Sequence, residues 1–208
     1  MKRSAVLSVL ILGLLGALAA VPAYADSTLY TNGPSSYSIA GKPISSGWFL
    51  MDSFTISQNS TVTSMNFVVW LNPGDTLSSV DWLIMTSPFG GTNEGSGTTS
   101  TTNSFIGIDG MYDYFDIYKE SSSIPDLSLD AGTYWLQFQN AAATNGHIVY
   151  WDENDGPSSA YLDNYAIGSE SFQILGYEES PVPEPSSFLL LGSGLAGLAG
   201  LIKRKLMA

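Results

Sequence analysis

Short runs of alternating apolar and polar residues, separated by Gly, Pro, Asn and Asp, recur through the middle of the chain, and none keeps a helical period over several turns. Alternation of period two puts one set of side chains on each face of a strand, so the pattern predicts antiparallel β structure. Between Thr61 and Leu71, Met65, Phe67, Val69 and Leu71 fall on one face. Ser64 and Asn66 fall on the other, with Val62, Val68 and Trp70 as apolar exceptions. Asn72-Pro73-Gly74-Asp75 reads as a turn, Val80–Met85 as the next strand, and the Gly/Ser/Thr-rich stretch from Pro88 to Gly97 as a loop. Thr98–Ile108 and Tyr114–Lys119 are expected strands around Asp109-Gly110. Leu127–Leu129 and Thr133–Gln139 read as strand–turn–strand around Asp130-Ala131-Gly132, with Tyr134, Leu136 and Phe138 sharing a face. His147–Trp151 and Ser171–Leu175 supply later strands. About eight to ten such strands predict an all-β, antiparallel two-sheet sandwich of jelly-roll type, with a closed barrel as the alternative. The chain has no internal repeat, which counts against a propeller or solenoid.

The two ends break this pattern. Lys2-Arg3, an apolar stretch from Ala5 to about Val21 and Ala23-Tyr24-Ala25 form the three regions of a secretory signal, with cleavage expected after Ala25. At the other end Pro183-Glu184-Pro185 precedes an uncharged run, Ser186–Ile202, and a basic triplet, Lys203-Arg204-Lys205. As a helix that run reaches roughly 25 Å, slightly short of a hydrocarbon core of about 30 Å. The basic flank favours the cytoplasmic side and acts as a membrane stop, while Pro-Glu-Pro ends any helix upstream. The expected organisation is a signal peptide over 1–25, a sandwich ectodomain over 26–176, a polar linker over 177–182 and a terminal segment over 183–205 holding one transmembrane helix, 186–202. The Sec translocon and signal peptidase are then the expected export partners. A plain, retained C-terminal anchor is the alternative for the tail.

The wording of that tail, Val182-Pro183-Glu184-Pro185-Ser186-Ser187-Phe188 leading to Leu201-Ile202-Lys203-Arg204-Lys205, resembles the PEP-CTERM sorting signal. This kind of tail is also called an ice-binding-protein C-terminal domain, although Thr98–Thr102 is a run and not the regular ladder that ice binding favours. The resemblance implies recognition by exosortase, a membrane-embedded transpeptidase of Gram-negative bacteria, with cleavage near Pro183-Glu184-Pro185. It also implies a single-pass membrane intermediate, transfer to the cell surface or extracellular matrix, and an exopolysaccharide-producing cell. Leu127–Leu136 likewise looks like the strand-turn-strand of ectodomains that carry such tails.

Charge narrows the role of the body. Of 7 Lys and Arg only Lys42 and Lys119 lie between Asp26 and Pro181, against 18 acids, a net charge of about −16. Nucleic-acid binding needs basic contacts to phosphate and is excluded in practice. There is no cysteine, so core burial alone must hold the fold together outside the cell.

Catalytic signals are weak. His147 is the only histidine, no Gly-x-Ser-x-Gly accompanies it, and no pair among Asp109, Asp113, Asp116, Glu120, Asp152, Glu153 and Asp155 stands out as a glycosidase dyad. The chain therefore reads as a non-enzyme without a cofactor. Asp152-Glu153-Asn154-Asp155-Gly156 fails the EF-hand spacing, but a structural Ca2+ at such a turn is one expectation. Trp70, Trp135 and Trp151, with Asp152 and Asp155, form the candidate ligand surface, because exposed aromatic faces stack on sugar rings while acids and amides hold hydroxyls. Exopolysaccharide is the corresponding partner, and a carbohydrate- or Ca2+-binding, lectin-like adhesion module is the alternative to a matrix protein without a dedicated ligand.

Overall fold

The computed structural model describes residues 25–179 other than 38, 40 and 46, together with 191–192, 194–195 and 202–203. The expected signal peptide up to residue 24, with Ala23, lies outside the described residues, as do Pro183, Glu184, Pro185, most of 186–202, Arg204 and Lys205. Among the described residues no helix is long and apolar enough to cross a membrane.

The body is all β. Its strands are β1 (Ser27–Thr31), β2 (Lys42–Pro43), β3 (Phe49–Ile56), β4 (Ser60–Leu71), β5 (Leu77–Met85), β6 (Asn93–Ser100), β7 (Thr102–Ile108) and β8 (Asp116–Leu129). They continue with β9 (Gly132–Ala143), β10 (Tyr150–Trp151), β11 (Glu153–Asn154), β12 (Ala160–Leu162), β13 (Tyr165–Ile167), β14 (Ser169–Glu170) and β15 (Phe172–Glu178). Every pairing is antiparallel. In one sheet β4 is central, with β8 and then β7 on one side. Its other side is shared by β15, backed by β1, and by β10, backed by β2. The second sheet runs β13-β12-β3-β9-β5-β6, and β11 pairs with β14 separately.

The two sheets meet face to face through one core. Phe67 of the first sheet lies 4.4 Å, centroid to centroid, from Phe138 of the second, and Phe138 lies 4.6 Å from Trp151 of β10. Met65, Phe67, Val69 and Leu71 are all buried in this core, as the alternation predicts. Val62 joins them despite its even position, because between Val62 and Ser64 β4 carries one residue more than β15, a bulge that shifts the register by one and turns Val62 inward. Val68 and Trp70 pack outside the sheet with Ile117, Phe115 and Tyr150.

Three sequence expectations change. First, Asn93–Gly97, expected as the end of a loop, is the first part of β6, which runs on to Ser100. It has no apolar face because Trp82 and Leu127 occupy its side of the core: a Cβ on Gly97 would lie 3.3 Å from Trp82 Nε1, and one on Gly95 3.0 Å from Leu127 Cδ2. Second, β8 and β9 do not pair. Asp130-Ala131 carries the chain from one sheet to the other, braced by Ala131 N–H donating to Asn59 Oδ1 at 3.0 Å, so Leu129 and Tyr134 enter the core from opposite walls. Third, Tyr177 and Glu178, read as the start of the linker, are the last rungs of β15 opposite Thr61 and Ser60.

Gly176 marks where β15 needs the absence of a side chain. It sits at a register shift against β4, and a Cβ there would overlap the Thr61 carbonyl oxygen. Gly176→Ala is expected to destabilise the fold by about 1–3 kcal/mol, the range for forced overpacking. A urea-unfolding midpoint equal to wild type would show that β4 yields freely at this point.

Candidate functional site

The five residues expected to form a ligand surface do not share one exposed face. Trp151 is fully buried between the sheets and donates from Nε1 to Ser171 O at 3.1 Å. Trp70 is buried on the outer side of the first sheet, where its Nε1 donates to Asp152 Oδ1 at 2.5 Å. Asp152 is itself buried, while Asp155 is exposed. Trp135 is half-buried on the outer face of the second sheet, 5.5 Å from the Tyr161 ring, which in turn meets Phe89. Trp70, Trp151 and Asp152 are thus corrected from ligand-facing to interior. Their aromatic area fills gaps in the packing, and the Trp70 indole N–H needs the carboxylate as a buried partner. No group of three His, Cys, Asp or Glu among the described residues is placed to hold a metal ion.

A set of buried acids gathers where β3, β14 and the residue after β1 meet, and no sequence motif marked Asp52 or Glu170 among them. Asp52 shares the core face of β3 with Leu50, Phe54 and Ile56 and is fully buried. Its Oδ2 accepts from Glu170 N–H at 2.7 Å and from Asn32 Nδ2 at 3.1 Å. Asn32 Nδ2 also donates to Glu170 O and Ser158 Oγ, both at 2.6 Å. Both Glu170 carboxyl oxygens are buried without a hydrogen-bond partner. Nearby, Lys42 Nζ pairs with Glu153 Oε2 at 2.7 Å.

Burial pushes Asp52 up to about 7, although bonds from Ser158, Glu170 and Ser53 pull it back, and burial pushes Asp152 up to about 6. Glu170 is held well above the ordinary carboxyl range by burial, then by the charges of Asp52, Glu153 and Asp152, with Lys42 opposing. Burial thus shifts all three toward the neutral acid, Glu170 the furthest. A sequence signal existed: Asp52 interrupts an apolar alternation at a core position.

Two further acids do the reverse. Asp75 is buried at the β4–β5 turn and accepts from Asn145 N–H at 2.9 Å, Asn145 Nδ2 at 2.6 Å and Thr144 Oγ1 at 3.2 Å, with His147 Nδ1 at 2.7 Å. Burial raises its pKa, but the hydrogen bonds outweigh burial and hold it low. Asp109 accepts backbone N–H bonds from Met111, Tyr112, Tyr114 and Phe115, which outweigh its burial in the same way. The histidine therefore staples two loops, and Asp109 organises a third.

The outer face of the first sheet carries a cavity of about 480 Å³. β4 and β15 supply Asn66 and Gln173 to its floor, β8 supplies Lys119, and β7 supplies Ile106. The segment 33–37 forms a strap across it. Gly33, at φ +90°, starts the strap, and Asn154 Nδ2 holds it by donating to Asn32 O at 2.7 Å and Pro34 O at 3.2 Å. At its far end the Tyr37 ring rests on Gly107, where a Cβ would come within 2.9 Å of the ring. Gly110 N–H donates to Tyr37 O at 2.5 Å.

Comparison with known proteins speaks to the tail alone. Residues 181–205 match the PEP-CTERM protein-sorting motif. No curated protein matches the chain. The motif makes this an exosortase-targeted protein, with exosortase as its processing partner and an exported, membrane-anchored processing intermediate as the state in which the two meet.

Proposed function

We propose that the chain is an exported, non-enzymatic protein of the cell surface or extracellular matrix, delivered by exosortase cleavage near Pro183-Glu184-Pro185. The observation that carries this reading is the position of the motif: Glu178 closes β15, and the matched motif begins at residue 181. A folded body is thus followed almost at once by a processing signal. The strand order supports a jelly-roll reading of the body. In chain order β1, β3, β4, β5, β6, β8, β9 and β15 alternate between the sheets, except that β5 and β6 pair as a hairpin, so that β1-β15-β4-β8 faces β3-β9-β5-β6.

A non-enzymatic role fits the chemistry. The acids with raised pKa are fully buried, beyond reach of a glycosidic bond that would have to lie between them. Of the ring nitrogens of the one histidine, Nδ1 is committed to Asp75. A carbohydrate-binding module is the second reading, favoured by the roomy, hydrogen-bonding cavity on the outer face.

Mass spectrometry of the protein recovered from medium and membranes tests the main reading. A released form ending near Pro185 is the expected result. Full-length protein confined to the inner membrane would return the tail to a plain anchor.

A further inference from the structure

The charge around the outer-face cavity is opposite in sign to that of the body. The body carries about −16, yet among the described residues no Asp or Glu lines this cavity, and Lys119 does. Lys42, the body's other lysine, is committed to Glu153. Among the described residues of the sandwich Lys119 takes part in neither ion pair, and its side chain is exposed. The floor is rich in donors as well. Ser121 Oγ donates to Asn66 Oδ1 at 2.7 Å, and Asn66 Nδ2 donates to Gln173 Oε1 at 3.2 Å. Both amide oxygens are thereby used as acceptors. With one lone pair of each oxygen used, Gln173 keeps two N–H donors and Asn66 one for a ligand.

We propose that this cavity binds a carboxylate-bearing sugar, a hexuronic acid, with the carboxylate on Lys119, ring hydroxyls on Gln173 and Asn66, and Tyr37 as the aromatic wall. The assignment rests on the carbohydrate-binding reading and names its ligand class. An ammonium and a set of amide donors with no facing acid select an anion over a neutral sugar. The surrounding negative charge acts against anions at a distance, so a bare carboxylate gains too little from a single lysine. The hydroxyl contacts must supply the rest, which is why a sugar fits and a simple anion does not. A volume of about 480 Å³ is at the lower end of small-ligand sites and suits one or two pyranose rings.

The test is a titration of the full chain in detergent micelles with sodium glucuronate, glucose and sodium acetate, followed by amide chemical shifts. Glucuronate is expected to bind about tenfold more tightly than glucose or acetate, one charge-assisted contact's worth. Its shifts should centre on Lys119, Gln173 and Tyr37, and the preference should shrink as NaCl is raised. Lys119→Gln should abolish the preference and Lys119→Arg should keep it. Equal binding of glucose and glucuronate would overturn the uronate assignment while leaving the carbohydrate reading intact. Binding of acetate as tightly as glucuronate would reduce the site to a plain anion contact. No shifts with either sugar would remove both readings.

Discussion

Thermal stability should fall as pH rises from about 5 to 8, the reverse of the usual behaviour of an acid-rich protein whose carboxylates are ion-paired. The cause is a set of buried acids, Asp52, Asp152 and Glu170, with Tyr30 beside Asp52 and the Lys42–Glu153 ion pair acting on Glu170. Asp52 titrates near 7 in the fold, against 3.8 in an unfolded chain. Between those values the folded protein holds a proton that the unfolded chain has lost. That contribution to stability is therefore fully present only below about pH 4, the unfolded value, and is lost as pH climbs from there through the folded pKa. At about 1.4 kcal/mol per unit, Asp52 alone contributes on the order of 4 kcal/mol across that window. Glu170 acts in the same direction, and so does Glu120, which burial raises to about 7. Asp75 and Asp109, held low, act oppositely and only at more acid pH.

General repulsion among surface acids would give a similar trend, but salt screens it and leaves the buried acids largely untouched. Glu170→Gln separates the two, since an amide keeps the shape of the neutral acid and cannot ionise. The variant should melt higher than wild type at pH 8 and show a flatter profile in high salt. A wild-type melting temperature that rises from pH 5 to 8 would refute the neutral-acid account.

Phe138→Ala should remove about 3–5 kcal/mol, the range for truncating a large buried aromatic. Phe138 is fully buried and touches both Phe67 and Trp151, so one ring ties β9 to the opposite sheet at two points. With no disulfide to limit the unfolded chain, the loss falls directly on a stability of typically 5–15 kcal/mol. Urea denaturation reads it as a lower midpoint at unchanged slope. Phe105→Ala, at a ring 57% exposed on β7, should shift the midpoint little. A loss below about 1 kcal/mol at Phe138 would mean the sheets close over the gap.

β4 and β9 were legible because their alternation is set by burial on one face, as at Met65–Leu71 and Tyr134–Phe138, whereas β8, the longest strand, was read as two pieces, Tyr114–Lys119 and Leu127–Leu129. β6 was not, because glycines there make room for side chains from Trp82 and Leu127, which are distant in sequence. The β8–β9 corner was misjudged for a related reason. A turn between two apolar strands looks the same whether they pair or face each other. The site was harder still. Trp70 and Trp151 carry an aromatic signal that cannot distinguish a sugar platform from a core filler. Lys119 drew interest only as part of a charge count until the sheet set it in a cavity without acids.

β15 lies second from the edge of its sheet, bonded to β4 on one side and capped by β1, the first strand, on the other. A chain made from its amino end therefore cannot complete this sheet until residues 172–178 exist, and β1 waits without its partner until then. Any product cut short far enough to lack residues 172–178 has also lost the motif at 181–205. It would expose the unpaired edges of β1 and β4, the kind of surface that aggregates or is degraded. Topology thus works as proofreading: closure of the sandwich certifies that synthesis has come within a few residues of the address that sends it out.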